Sequence, residues 1–189
     1  MSTEIRIAGV GSQGLVTASI ILAEALGIVR DFEVIQTQFY ASNIQGGSSC
    51  GDVIFGREKI IFPWVLKPDF LVALAQDGIR THAAAMRPGS TVLADELMVN
   101  DLSVLDAGVK IVRAPLTALA DSLGVRKCTN IVALGALARL TGLLTLEQIS
   151  KAVLARAPGR PEINQQAVSL GYEVELRIAD AESNIPALA

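Results

Sequence analysis

The segment Gly9-Val10-Gly11-Ser12-Gln13-Gly14 limits the choice of fold more than any other stretch of the chain. It follows a short apolar run, Ile5 to Ala8, and opens a helical pattern at Leu15, so it reads as a strand–turn–helix junction with G-x-G-x-x-G spacing. Glycines at that spacing let an anion or another backbone approach closely, and the helix that begins there presents a positive end. A dinucleotide site needs one more part, an acid at the carboxyl end of the second strand to hold a ribose hydroxyl. The second strand is expected over Phe32 to Thr37, and its carboxyl end carries Gln36, Thr37 and Gln38. Asp31 and Glu33 stand at its start, the wrong end of a parallel sheet. The turn is present without its nucleotide partner.

Beyond the turn, strand and helix patterns alternate. Leu15 to Leu26 is expected to be a helix closed by Gly27 at the position after its end. Cys50 to Phe55 and Lys59 to Phe62 pattern as a hairpin turning at Gly56-Arg57, and Asp69 to Leu74 reads as a central strand, apolar on both faces. A helix over Gln76 to Met86 stops at Pro88-Gly89, and strands follow at Thr91 to Ala94 and Lys110 to Arg113. The final third is helical. Leu116 to Leu123 and the almost wholly apolar Asn130 to Leu140, which ends at Gly142, precede a T-x-x-Q capping box at Thr145 and Gln148. Pro161 suits the first turn of a last helix and Gly171 its end. The expected architecture is α/β: a single Rossmann-like three-layer domain with a mostly parallel sheet, a β-hairpin insertion and a helical C-terminal cap. The domain spans 1–178 and a tail follows at 179–189.

The residue inventory removes most kinds of chemistry. A net charge of −3 gives no basic footprint for nucleic acid. No segment is long and apolar enough for a bilayer, and Met1-Ser2-Thr3-Glu4 has no signal-peptide character, so a cytoplasmic, reduced location without membrane contact is expected. The two cysteines, Cys50 and Cys128, fall short of the roughly four thiolates an iron–sulfur cluster requires. His82 is the only histidine, set among alanines, and reads as a surface helical residue with no companions for a metal. Ser12 has Val10 two positions before it where a hydrolase elbow needs glycine, and the turn lacks the G-K-[ST] ending of a P-loop. Gly46-Gly47-Ser48-Ser49 could gather backbone N–H groups around an anion, or simply let the chain turn tightly. Asp52, Asp69, Asp77 and Asp95 lie near strand ends, but spacing alone brings no two of them together. With 51% hydrophobic and only 19% charged residues, the chain also hints at surface buried against partner chains.

The order of its motifs resembles the gamma subunit of 2-oxoacid:ferredoxin oxidoreductases, the family acting on pyruvate, 2-oxoglutarate, branched-chain oxoacids and indolepyruvate. The residues that carry the resemblance are the first glycine turn, Thr37-Gln38-Phe39-Tyr40 followed by Gly46-Gly47-Ser48, Asp69 to Leu74, and Pro88-Gly89-Ser90. Asn130 with Leu134-Gly135-Ala136, then Asn164 and Leu170-Gly171-Tyr172, complete the series over Ile5 to Glu173. Two positions depart from the family pattern. Ser12 replaces a glycine of the first turn, and Gln45 stands where an arginine is usual, which removes a bidentate donor from the second loop.

The resemblance implies a complex that decarboxylates a 2-oxoacid, passes electrons to ferredoxin and hands the acyl group to coenzyme A. Thiamine diphosphate, iron–sulfur clusters and magnesium would sit on alpha and beta subunits, with a delta subunit in some assemblies, and no redox cofactor on this chain. Gly9, Gly11, Ser12, Gln13 and Gly14, with Tyr40, Gly46, Gly47 and Ser48, would form the functional edge, either at the coenzyme A site or against a partner chain. Two other classes stay open at this point. One is a stand-alone nucleotide-binding dehydrogenase; the other is a purely structural scaffold.

Overall fold

A computed structural model describes residues 2–40 and 48–179. Its strands are β1 (Thr3–Val10), β2 (Glu33–Tyr40), β3 (Ser48–Gly56), β4 (Phe70–Ala73), β5 (Thr91–Asp95), β6 (Lys110–Ala114) and β7 (Arg177–Ala179). They form one sheet in the order β2-β3-β1-β4-β5-β6-β7. The helices are α1 (Leu15–Glu24), α2 (Gln76–His82), α3 (Leu116–Ser122), α4 (Thr129–Thr141), α5 (Leu146–Arg156) and α6 (Pro161–Glu173). β1, β4, β5 and β6 pair in parallel, and β2 shares their direction because it is antiparallel to β3, which is itself antiparallel to β1. Only β3 and β7 run the other way, so the sheet is mostly parallel.

Helices cover the two faces unequally. On one face Ile5, Ile7, Val72, Leu74, Leu93 and Val112 meet α1 and the α3–α6 group in the larger core. On the other, Ala8, Leu71, Ala73, Val92 and Ala94 are covered by α2 and by the β5–β6 connection through Val99, Leu102 and Leu105. The parallel strands read as unbroken apolar runs because both of their faces are buried.

Within the helical layer α4 and α6 approach at backbone distance. A Cβ on Gly135 would stand 2.2 Å from Val168 O, and one on Gly171 would stand 1.9 Å from Val132 O. Gly171 is thus inside α6, where it lets α4 come close, and does not terminate the helix. Gly142, at φ 65°, does end α4 in the left-handed conformation. Thr145 and Gln148 cap α5 reciprocally, and Pro161 opens α6.

Three expectations are corrected. The hairpin consists of β2 and β3, with Val34 opposite Phe55 and Tyr40 opposite Ser49, whereas Lys59 to Phe62 forms no strand. Gly27 lies inside a π-helical turn, Ala25–Val29, that continues α1. A short seventh strand, Arg177–Ala179, pairs with β6 where the sequence reading assigned no element after the last helix.

Candidate functional site

The carboxyl end of β1 is built around two amide side chains. Gln13, in the 3-10 turn after Val10, folds back so that its Oε1 accepts from Val10 N at 2.9 Å while its Nε2 donates to Leu74 O at 2.8 Å. One side chain therefore ties the ends of two neighbouring parallel strands. Asn130, in the first turn of α4, donates from Nδ2 to Gly14 O at 3.0 Å and accepts from Ile131 N at 3.0 Å. Two of the glycines follow from this packing. A Cβ on Gly9 would stand 2.2 Å from Gln13 Oε1, and Gly14 holds φ 68° with Asn130 Nδ2 only 2.6 Å from where its Cβ would be. Gly11 is different, since a Cβ there would meet only Ser49 Oγ at an ordinary 3.5 Å.

The residues expected at the functional edge do converge. Gly9 pairs with Ser49 and Val10 with Ser48 across β1–β3, and Tyr40 pairs with Ser49 across β2–β3. Gly11, Ser12 and Tyr40 are exposed, and among the described residues the buried Ser48 hydroxyl has no hydrogen-bond partner. Gly46, Gly47 and the substituted position Gln45 lie outside the described residues.

Beside this edge a cleft of ≈ 420 Å³ opens between the turn and the start of α4. Val10, Ser12 and Gln13 form one wall, Met98 and Thr117 another, and Arg126 and Lys127 its rim. Arg126 is forked onto Asp121, with Nε 2.9 Å from Oδ1, and this pairing holds the Asp121 carboxyl below the usual range. Lys127 is exposed and makes no ion pair among the described residues. Asp95, fully buried, is committed to the fold: Oδ2 accepts from Thr117 N at 2.8 Å and from the Thr117 hydroxyl, and Oδ1 accepts from Leu97 N at 2.9 Å.

A second polar cluster lies under α2 and corrects the surface placement of His82. That ring is half-buried with Nδ1 3.3 Å from Arg6 Nη1; burial first and the Arg6 charge second push its pKa down to about 4, so it is neutral at pH 7. Arg6 is forked onto Asp52, Nε to Oδ1 at 2.8 Å and Nη2 to Oδ2 at 2.6 Å, and also donates to Val65 O at 2.9 Å. The neighbouring Cys50 thiol is pushed up to about 11, chiefly by burial and then by Asp52. Burial keeps the Cys50 thiol protonated and so no ready nucleophile, and the low pKa makes the neutral His82 ring a weak proton acceptor. Among the described residues no group of three or more His, Cys, Asp or Glu is arranged for a metal ion, and no helix is long and apolar enough to cross a membrane.

The topology bears on the dinucleotide reading. β3 stands between β1 and β2, so the end of β2 lies two strand spacings, about 9–10 Å, from the glycine turn. β2 runs on to Tyr40, beyond the expected end at Thr37, so its carboxyl end carries Phe39 and Tyr40 and still no acid, while Gln36 lies in mid-strand and donates to Ser19 Oγ of α1 at 3.0 Å. Sequence reasoning missed Arg126, Lys127 and the Arg6–Asp52 pair, which belong to no motif. It also took Lys59 to Phe62 as a strand, so the apolar run Ile60-Ile61-Phe62-Pro63-Trp64-Val65-Leu66 was not seen as largely exposed surface.

Comparison with known proteins adds to this geometry. The family described as Pyruvate ferredoxin/flavodoxin oxidoreductase matches residues 4–174. The 2-oxoglutarate synthase subunit KorC of Methanocaldococcus jannaschii is 38% identical over 92% of this chain and 94% of its own length. The pyruvate synthase subunit PorC of the same organism is 29% identical over 92% of this chain and 97% of its own. Among solved structures, a keto/oxoacid ferredoxin oxidoreductase gamma subunit from Geobacter sulfurreducens superposes with TM-score 0.81 and 31% identity, covering 97% of this chain and 98% of that one. The 2-oxoglutarate:ferredoxin oxidoreductase of Magnetococcus marinus, with 2-oxoglutarate, coenzyme A and succinyl-CoA bound, shares the fold at TM-score 0.80 and 21% identity. That likeness covers 90% of this chain and 30% of the longer one.

Proposed function

The chain belongs to the pyruvate ferredoxin/flavodoxin oxidoreductase family as a gamma-type subunit of a 2-oxoacid:ferredoxin oxidoreductase complex, and we propose that its carboxyl edge helps to bind coenzyme A in that complex. The observation that carries the proposal is the ≈ 420 Å³ cleft beside Ser12 and Gln13, whose rim holds one cation neutralised by Asp121 and one, Lys127, left for an anionic ligand. Gly9, Gly11 and Gly14 belong to the turn that walls the cleft, Ser48 and Tyr40 stand on β3 and β2 to the other side of β1, and Gly46 and Gly47 follow Tyr40 in the chain. In this reading Gly9 and Gly14 shape the floor through Gln13 and Asn130, while Ser12, Gly11 and Lys127 face the ligand.

The proposed reaction is the oxidative decarboxylation of a 2-oxoacid: carbon dioxide leaves, the acyl group passes to the coenzyme A sulfur, and two electrons leave on ferredoxin. We assign 2-oxoglutarate as the substrate, because the chain is 38% identical to the 2-oxoglutarate synthase subunit of Methanocaldococcus jannaschii and 29% identical to that organism's pyruvate synthase subunit. In this reading thiamine diphosphate, magnesium and the iron–sulfur clusters would sit on alpha and beta partners, with a delta subunit in some assemblies. Two buried cysteines do not fit a cluster that needs about four thiolates. The stand-alone dehydrogenase is disfavoured by β3, which separates the glycine turn from β2.

Lys127→Glu in the assembled complex tests the reading. One charge-assisted bond is worth about 1.5–3 kcal/mol, so KM for coenzyme A should rise by about tenfold or more while KM for the 2-oxoacid stays put. An unchanged coenzyme A KM in an intact complex would leave the edge as a packing surface only.

A further inference from the structure

Asp95 ends β5 beneath the cleft and is fully buried, yet it makes no ion pair among the described residues. A carboxylate withdrawn from water is costly unless hydrogen bonds replace the lost solvent. Here they come from two directions. Oδ2 accepts from Thr117 N at 2.8 Å and from the Thr117 hydroxyl, in the first turn of α3, while Oδ1 accepts from Leu97 N at 2.9 Å. Capping α3 alone would not require this residue, because a serine or aspartate at the N-cap does that locally. Pro115 holds that position instead. What a local cap would not supply is the tie to Leu97.

Both ties end on one wall of the cleft. Thr117 lines it directly, and so does Met98, the residue after Leu97. Met98 is clasped on its other side as well: Val99 N donates to Asp95 O at 3.0 Å, and Arg113 Nη2 donates to Val99 O at 2.8 Å. Beyond it, Gln76 Oε1 accepts from Asn100 N and Asp101 N, both at 2.9 Å. These bonds fix the backbone and leave the half-buried Met98 side chain on the cleft wall.

We propose that Asp95 is a positioning residue for coenzyme A: its two carboxylate oxygens lock Thr117 and Met98 into one wall, and that wall sets how the ligand lies against Ser12, Gln13 and Lys127. The inference rests on the coenzyme A reading of the cleft. A negative charge close to an anionic ligand opposes binding by charge alone. Whatever Asp95 adds to binding therefore comes through geometry, and the two effects have opposite signs.

Asp95→Asn in the assembled complex exploits that opposition. An amide in the same place keeps an oxygen for one of the two backbone N–H groups and turns its own N–H toward the other, so half of the wall is released at nearly constant volume. Loss of the charge alone would lower KM for coenzyme A. The expected result is a rise in that KM of roughly tenfold, with kcat at saturating coenzyme A and KM for the 2-oxoacid within about twofold of the parent. A coenzyme A KM that is unchanged or lower in an intact complex would overturn the positioning role. Should Asp95→Asn fail to assemble, Thr117→Val decides: it removes the hydroxyl bond to Oδ2 and keeps Thr117 N, and an unmoved coenzyme A KM there would equally overturn the role. Lys127→Glu separates this inference from the reading beneath it. A coenzyme A KM raised by Lys127→Glu and untouched by Asp95→Asn sinks the positioning role alone, whereas a KM indifferent to both substitutions sinks both.

Discussion

The glycine turn after β1 and the strap between β3 and β4 solve opposite problems. The turn carries a recognisable motif, yet much of it is turned inward: Gln13 fills the space over Gly9, and Asn130 fills the space over Gly14. The strap carries no motif, its backbone is held by Arg6 and Glu4, and its large side chains face outward. A motif can be conspicuous because the fold needs it, while an exposed apolar surface can be built from residues that make no pattern at all. The contrast is energetic. Side chains in the turn are judged by the protein's own packing, and those of the strap stand largely in water.

Substitutions should separate the two regions in order of severity. Gly14→Val puts a β-branched residue at φ 68° and drives it into Asn130. The left-handed backbone costs about 1–2 kcal/mol and the displaced amide about 1–3 more, so denaturant unfolding should report a loss of about 3 kcal/mol. A mild effect there would mean that the turn is not self-packed.

A smaller effect is expected beneath the strap and depends on pH. His82 has its folded pKa near 4, below the ordinary 6.5, so the unfolded chain binds the extra proton first. Stability from keeping this ring neutral is complete above pH 6.5 and is lost as pH falls from 6.5 towards 4. The loss is on the order of 2 kcal/mol after allowance for the exposed part of the ring. His82→Gln should flatten that portion of the stability–pH curve, and an unaltered slope would show that the ring does not face Arg6. The smallest effect belongs to the strap itself. Trp64→Ser should change the stability of the isolated fold by no more than about 0.5 kcal/mol, because Trp64 is 54% exposed and lies outside both hydrophobic cores. A loss of several kcal/mol would place Trp64 in the core and end the contrast.

Much of the scaffold was legible because its signals are local. β4, β5 and β6 are short apolar runs bounded by breakers, and the ends of α4, α5 and α6 are marked by Gly142, Thr145 with Gln148, and Pro161. The order of motifs was enough to reach the family. What escaped depends on contacts far along the chain. Nothing near residue 50 says that β3 will insert between β1 and β2, and the apolar run from Ile60 mimicked its missing hairpin partner. Gly171 looked like a stop signal because its reason, Val132 O of α4, is distant in sequence. His82 looked exposed among alanines because Arg6, which neighbours it, lies on the first strand. For the site, the sequence suggested the edge but not the cleft beside it, since Lys127 and Arg126 reach that place only through the start of α4.

The place of β1 in the middle of the sheet has a consequence for how the protein is made. β1 is the first strand to leave the ribosome, yet both of its neighbours come much later: Ile7 pairs with Gly51 on one side and with Val72 on the other. Throughout the synthesis of everything up to Ala73 this apolar strand has at most one edge satisfied, while β4, β5 and β6 find one another over short connections soon after they emerge. β1 is therefore the first strand to appear, yet it gains its second partner only when β4 emerges. Until then its open edge is free to pair wrongly, which makes it a target for a chaperone during translation.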